Sequence, residues 1–236
     1  SRLGTILSNA AARCELLVLH PIESLWGIAA DFGEGNSFAP EFDRVFARNT
    51  AELLKAHVEF DFGDESLLAR YGSIVDGRFR VGHSAYSTVL LPELRTLRRS
   101  TVNLLRQFQS AGGTVFYLGA IPDRCEGEPA AAMLQELYHG FVKLEEKTFA
   151  KQLGESLCEF SLSDASGEIP ELLAATGTGD DFLTLFAVNL GWVPDDRPFQ
   201  APAVAERTRS LAGVAMRFRH PEAGTLYELD PVTGRY

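Results

Sequence analysis

The sequence predicts an α/β domain built on a parallel sheet flanked by helices, followed by a segment of strands alone. Three observations predict it. Short apolar or alternating runs at residues 15–19, 58–62, 87–91 and 114–118 are separated by stretches with helical spacing. Several of these runs meet a stop, at Gly63-Asp64, Pro92 and Gly119, so their ends share one loop face, where such sheets usually place ligands. Past residue 168 the helical spacing ends and strand-like runs continue without it, which suggests two units with a boundary between Phe160 and Pro170. The expected division is 1–165 for the α/β domain and 166–236 for the β-strand segment.

Element by element, residues 1–12 are rich in Ala and Leu and fit a short helix. Glu15 to Leu19 is a compact apolar run ended by His20-Pro21 and reads as the first strand. His20 to Asn36, with Gly27, Gly33 and Gly35, reads as a long loop carrying Trp26. From Pro40 to His57, Phe42, Val45, Phe46, Leu53 and Leu54 recur at helical spacing. Val58 to Phe62 alternates as a strand, and Asp64 is placed to cap a helix over Glu65 to Tyr71. Asp76-Gly77 is a tight-turn dipeptide between two short strands. Ser87 to Leu91 is a buried strand, Leu94 to Ser110 a helix stopped by Gly112-Gly113, and Thr114 to Leu118 the next strand. Ala130 to Lys151 reads as one long helix. Leu172 to Thr176 and Phe182 to Leu190 flank the turn Gly177 to Asp181. Val214 to Phe218 and Thr225 to Leu229 are the last strands.

Composition narrows the function. Apolar residues make up 45% and charged residues 23%, a globular balance that argues against disorder. The formal charge of -10 excludes nucleic acid and anionic membrane as expected partners, since both require clustered Lys and Arg. No apolar run reaches the roughly 20 residues that span a bilayer. The first residues lack the basic-then-apolar pattern of a secretory leader, and the chain is expected to be the interior of a longer protein. Cys14, Cys125 and Cys158 show no CxxC spacing and read as buried or inert thiols, with a single disulfide of unassigned pairing as the alternative. No metal or cofactor is expected.

A family resemblance is carried by Leu16-Leu-Val-Leu-His-Pro-Ile-Glu-Ser-Leu-Trp26, Phe60-Asp-Phe-Gly-Asp-Glu-Ser-Leu-Leu68, Gly77-Arg-Phe-Arg-Val81, Tyr86 to Pro92 and Gly112-Gly-Thr-Val115. Phe186-Ala-Val-Asn189 and Glu228-Leu-Asp-Pro-Val-Thr-Gly234 continue it. In this order the motifs, spanning residues 5–234, resemble the post-barrel region of multi-domain bacterial glycoside hydrolases. The likeness is to α-L-rhamnosidase-type chains and, more weakly, to β-galactosidases with a trimerisation domain. The resemblance implies a flavodoxin-like, class I glutamine amidotransferase-like sheet followed by part of a β-sandwich. It implies a non-catalytic accessory region whose partner is a (β/α)₈ barrel, N-terminal in the same chain, that holds the acid and base carboxylates. Carbohydrate and a second copy of the chain are the other partners it admits.

Five residues are the expected substrate-proximal set: His20, Glu23 and Trp26 after the first strand, and Asp61 and Asp64 around the end of the second. Paired carboxylates perform acid/base work in glycosidases. The plainer reading of Asp61, Asp64 and Glu65 is a helix cap with solvated charge. Trp26 is placed either to stack on a sugar or to fill a domain interface. His83 and His139 stand alone as surface or hydrogen-bonded residues, and Arg95, Arg98 and Arg99 are expected in local salt bridges. Two alternatives stay open: a self-contained hydrolase or amidotransferase-like enzyme acting through Asp61, His20 or a cysteine, and a carbohydrate-binding module using Trp26 and Trp192.

Overall fold

A computed structural model describes residues 10–32, 38–179, 182–195, 211–219 and 225. Its strands are β1 (Ala11–Ala12), β2 (Leu16–Leu19), β3 (Phe60–Gly63), β4 (Gly72–Val75), β5 (Arg78–Val81), β6 (Ser84–Tyr86), β7 (Thr88–Leu91) and β8 (Thr96–Leu97). They continue as β9 (Thr114–Tyr117), β10 (Arg124–Cys125), β11 (Glu128–Pro129), β12 (Val142–Lys143), β13 (Phe160–Asp164), β14 (Gly167–Glu168), β15 (Leu172–Thr178), β16 (Leu183–Asn189) and β17 (Ala215–Phe218). The described helices are α1 (Ile22–Phe32), α2 (Phe38–Lys55), α3 (Glu65–Tyr71), α4 (Arg99–Ser110), α5 (Ala131–Tyr138) and α6 (Phe149–Leu157).

The centre is a five-stranded parallel sheet in the order β3-β2-β7-β9-β12, so the chain is mixed α/β with helices on both faces. Strand alternation sorts the side chains between two cores. Leu17, Leu19, Val89, Leu91 and Val115 face α3, α4 and α5, where they meet Leu68, Val102, Leu105, Phe108 and Leu137. Leu16, Val18 and Leu90 face α2 and α6, where they meet Leu53, Phe149 and Leu153. Both cores are fully buried, and that removal of apolar surface from water is the main force holding the helices on the sheet. A small antiparallel sheet, β4-β5-β6, lies between α3 and β7. Its Asp76-Gly77 turn has φ 52° and 73°, the left-handed pair that a two-residue hairpin requires.

Four expectations are corrected. The stretch from His20 is not a loop up to Asn36: α1 covers Ile22–Phe32, and residues 33–37 lie outside the described residues. Over residues 21–28, where burial is described, the buried positions are Pro21 just before the helix and Ser24 and Ile28 within it, so a polar residue occupies the inward stripe and hides the helical period. The single helix from Ala130 to Lys151 is two helices, α5 and α6, with β12 between them. The helix from Leu94 begins only at Arg99, because residues 96–97 form β8 beside β10. Ala11–Ala12 are a strand paired with β15 rather than helix, and residues 1–9 lie outside the described residues.

Beyond α6, two three-stranded antiparallel sheets, β14-β13-β17 and β1-β15-β16, share a core of Phe160, Leu162, Ile169 and Leu172. The turn at residues 180–181 and most of the predicted strand Thr225 to Leu229 lie outside the described residues. No described helix is long and apolar enough to cross a membrane.

Candidate functional site at the strand ends

In chain order, the parallel sheet runs second, first, third, fourth, fifth. Connections therefore leave in opposite directions from β2 and β7. The crevice outside their carboxyl ends is where an open α/β sheet takes a ligand. Gly119 sits beside it after β9, at φ 70°; a Cβ there would come 3.0 Å from Glu93 Cβ, so glycine lets the two strand-end loops touch.

His20 ends β2, and its N–H donates to Gly63 O at 2.9 Å, tying the ends of β2 and β3. Its ring stands edge-on to Phe46 and Phe62, with centroids 5.3 and 5.6 Å away. Burial in this aromatic niche lowers its pKa, against the pull of Asp64 and Asp43. Glu23, in the first turn of α1, ion-pairs with Arg98 Nε. Asp64 caps α3: its Oδ1 accepts N–H bonds from Ser66 at 2.8 Å and Leu67 at 3.1 Å, and the Ser66 hydroxyl bonds it too. These bonds, led by the Ser66 hydroxyl, hold the carboxyl below its ordinary range.

The other two predicted residues lie apart. Trp26 is 62% exposed on α1. Asp61 pairs with Leu17 in the sheet, on the face opposite Phe60 and Phe62, and its Oδ2 accepts the Tyr86 hydroxyl at 2.8 Å. Strand alternation thus turns Asp61 away from the His20 niche. His83 and His139 are exposed, as two surface histidines.

Three residues outside the expected substrate-proximal set close the crevice: Ser24, which the sequence did not single out, Glu65, read as capping or solvated charge, and Arg98, read as part of a local salt bridge. Ser24, 1% exposed, accepts the N–H groups of Arg95 at 3.0 Å and Thr96 at 3.3 Å. Glu65, 2% exposed, accepts the N–H of Arg98, the N-cap of α4, at 2.8 Å. Arg98 thereby bonds Glu65 through its backbone and Glu23 through its side chain. Burial pushes the Glu65 carboxyl up to about 7, with Thr101 and Arg98 opposing and Glu23 reinforcing.

Burial disfavours the thiolate, the nucleophilic form, at all three cysteines. Burial pushes Cys14 and Cys158 up to about 12, reinforced by Asp61 and Glu59 respectively, and burial raises Cys125 as well. All three are free thiols. No group of three or more His, Cys, Asp or Glu among the described residues is arranged to hold a metal ion. A cavity of about 20 Å³, room for one water, lies where the parallel sheet meets the β segment, lined by Arg13, Glu59, Cys158, Glu159 and Thr176 among others.

No known protein-family profile matches the chain, and no curated protein matches it.

Proposed function

We propose that the chain is a non-catalytic accessory region of a glycoside hydrolase, supporting a neighbouring (β/α)₈ barrel. The observation that carries this reading is the closure of the strand-end crevice by the protein's own groups. Ser24 accepts the Arg95 and Thr96 N–H groups, and Glu23 and Glu65 both bond Arg98, at the place where a doubly wound sheet otherwise receives a substrate. The protonated thiols argue against a self-contained cysteine enzyme. The glycosidase assignment rests on the motif resemblance. The second-first-third-fourth-fifth strand order supports the flavodoxin-like, amidotransferase-like form of the sheet. The shared core of the two antiparallel sheets supports reading the β segment as part of a sandwich. Exposed Trp26 is then the contact residue toward the barrel or its cleft.

The test is enzymatic. The purified chain should leave aryl α-L-rhamnosides and aryl β-galactosides intact, while the protein that joins it to a barrel hydrolyses one of them. Saturable turnover by the chain alone, lost in Asp61→Asn, would overturn the reading. The exposure of Trp26 also favours carbohydrate binding by stacking. Titration with rhamnosides and galactosides under tryptophan fluorescence decides this second reading, and the absence of a saturable change removes it.

A further inference from the structure

An edge strand offers unpaired N–H and C=O groups to any strand that meets it, and proteins blunt such edges with charge, proline or brevity. The edge strands β3, β12, β14 and β17 carry Asp61, Lys143, Glu168 and Arg217. Every described edge strand other than β16 is also four residues long or shorter. Strand β16 has none of these guards: Leu183–Asn189 runs for 7 residues without charge, proline or glycine. Among the described residues it pairs with β15 alone, so its other edge is open. The pairing with β15 fixes what that edge presents. Glu171 O accepts the Leu190 N–H at 3.0 Å, and Phe182 O accepts the Gly179 N–H at 2.9 Å. Bonded and non-bonded positions alternate along an antiparallel pair. Thr184, Phe186 and Val188 therefore bond β15, while the N–H and C=O of Leu183, Leu185 and Ala187 point to the open edge. Phe186, the middle residue of the strand, is 37% exposed, and Val188 on the same face is 38% exposed.

We propose that β16 docks on β16 of a second copy of this chain, antiparallel, about a two-fold axis through Phe186. In that register Leu185 of each copy exchanges both backbone bonds with Ala187 of the other. Outward groups meet outward groups because the axis lies on a residue that bonds β15. The two Phe186 rings then face each other in a non-bonded pair, the position where cross-strand side chains stand closest. The strand is thus its own complement, as a two-fold contact requires. Charge favours the same occupant. Two copies of net charge -10 repel, and they meet at least cost along a strand that brings no charge. The contact holds whether or not the chain is an accessory region.

Sedimentation equilibrium of the whole 236-residue chain over about 1–100 µM tests it. The wild type should show a concentration-dependent monomer–dimer equilibrium. Ala187→Pro removes an outward N–H and spares the bonds to β15. Phe186→Lys sets two like charges opposite each other across the axis. Each variant should raise the dissociation constant roughly tenfold or more, with the far-UV circular dichroism of the wild type. A wild type that stays monomeric throughout leaves the edge to a different partner and overturns the proposal. A dimer that either folded variant leaves unchanged lies on another face and overturns it too. Should Ala187→Pro fail to fold, Phe186→Lys decides alone.

Discussion

Replacing Ser24 with Ala isolates the closure of the crevice. The hydroxyl is 1% exposed and accepts two backbone N–H groups, at 3.0 and 3.3 Å. In the alanine variant both donors lose this partner, in a loop that is exposed at Arg95 and half-buried at Thr96. A single unsatisfied buried donor costs about 1–3 kcal/mol, and the longer bond sits at the low end. Against this, alanine favours the helix over serine by a few tenths of a kcal/mol. Because Arg95 is exposed and Thr96 half-buried, the net expected loss is at the low end, about 1 kcal/mol, against the 5–15 kcal/mol that a typical domain has. Urea unfolding followed by far-UV circular dichroism should show a lower midpoint at unchanged slope. Exchange of the Arg95 and Thr96 amides should accelerate in the folded state. A loss under about 0.5 kcal/mol with both amides still protected would refute the claim that Ser24 holds this loop.

Asp64→Ala should cost about 1 kcal/mol by removing the α3 cap, while Asp64→Asn should be close to neutral; thermal melts compare them. Because the folded-state pKa of Asp64 is lowered, its contribution is present above the ordinary carboxyl range and lost as pH falls through the lowered value, so the Asp64→Ala deficit should shrink in acid. Gly119→Ala should destabilise by about 1–2 kcal/mol in urea unfolding, because it meets both a left-handed backbone and the Glu93 side chain. Iodoacetamide should label Cys14 and Cys158 more slowly in the folded protein than in urea at neutral pH, as mass spectrometry would read; equal rates would contradict the protonated state of these half-buried thiols.

Much of the sheet was legible because its strands carry their own signal. Residues 16–19 and 88–91 are buried on both faces, which leaves an unbroken apolar run, and Asp64 caps α3 from the adjacent position. The edge strand β12 was not legible: it is two residues long, both exposed, and exists through pairing with Phe116 and Tyr117. The candidate site divides the same way. His20, Glu23 and Asp64 were placed by following a strand, whereas closure depends on pairs distant in sequence. Ser24 reaches Arg95 across 71 residues, Glu23 reaches Arg98 across 75, and Glu65 reaches Arg98 across 33. No local pattern encodes those meetings, so Glu65 looked like solvated charge until its burial was visible.

The joint between the parallel sheet and the β segment bears on the accessory reading. Strand β1 pairs with β15 before the chain enters the parallel sheet at β2, so the β segment is built from both sides of the α/β part. Glu59 accepts the Thr176 N–H at 2.6 Å and the Thr176 hydroxyl, and Arg13 pairs with Glu159. His57, at φ 56° after α2, takes a left-handed backbone that few side chains adopt. That conformation aims its ring across the joint, where Nε2–H donates to Ile169 O at 2.9 Å and the ring stacks on Phe160. A joint whose hydrogen bonds include the buried His57 and Thr176 resists sliding, because a shift would leave those groups unpaired. Coupling of this kind suits the accessory part proposed above, which would transmit position to a neighbour.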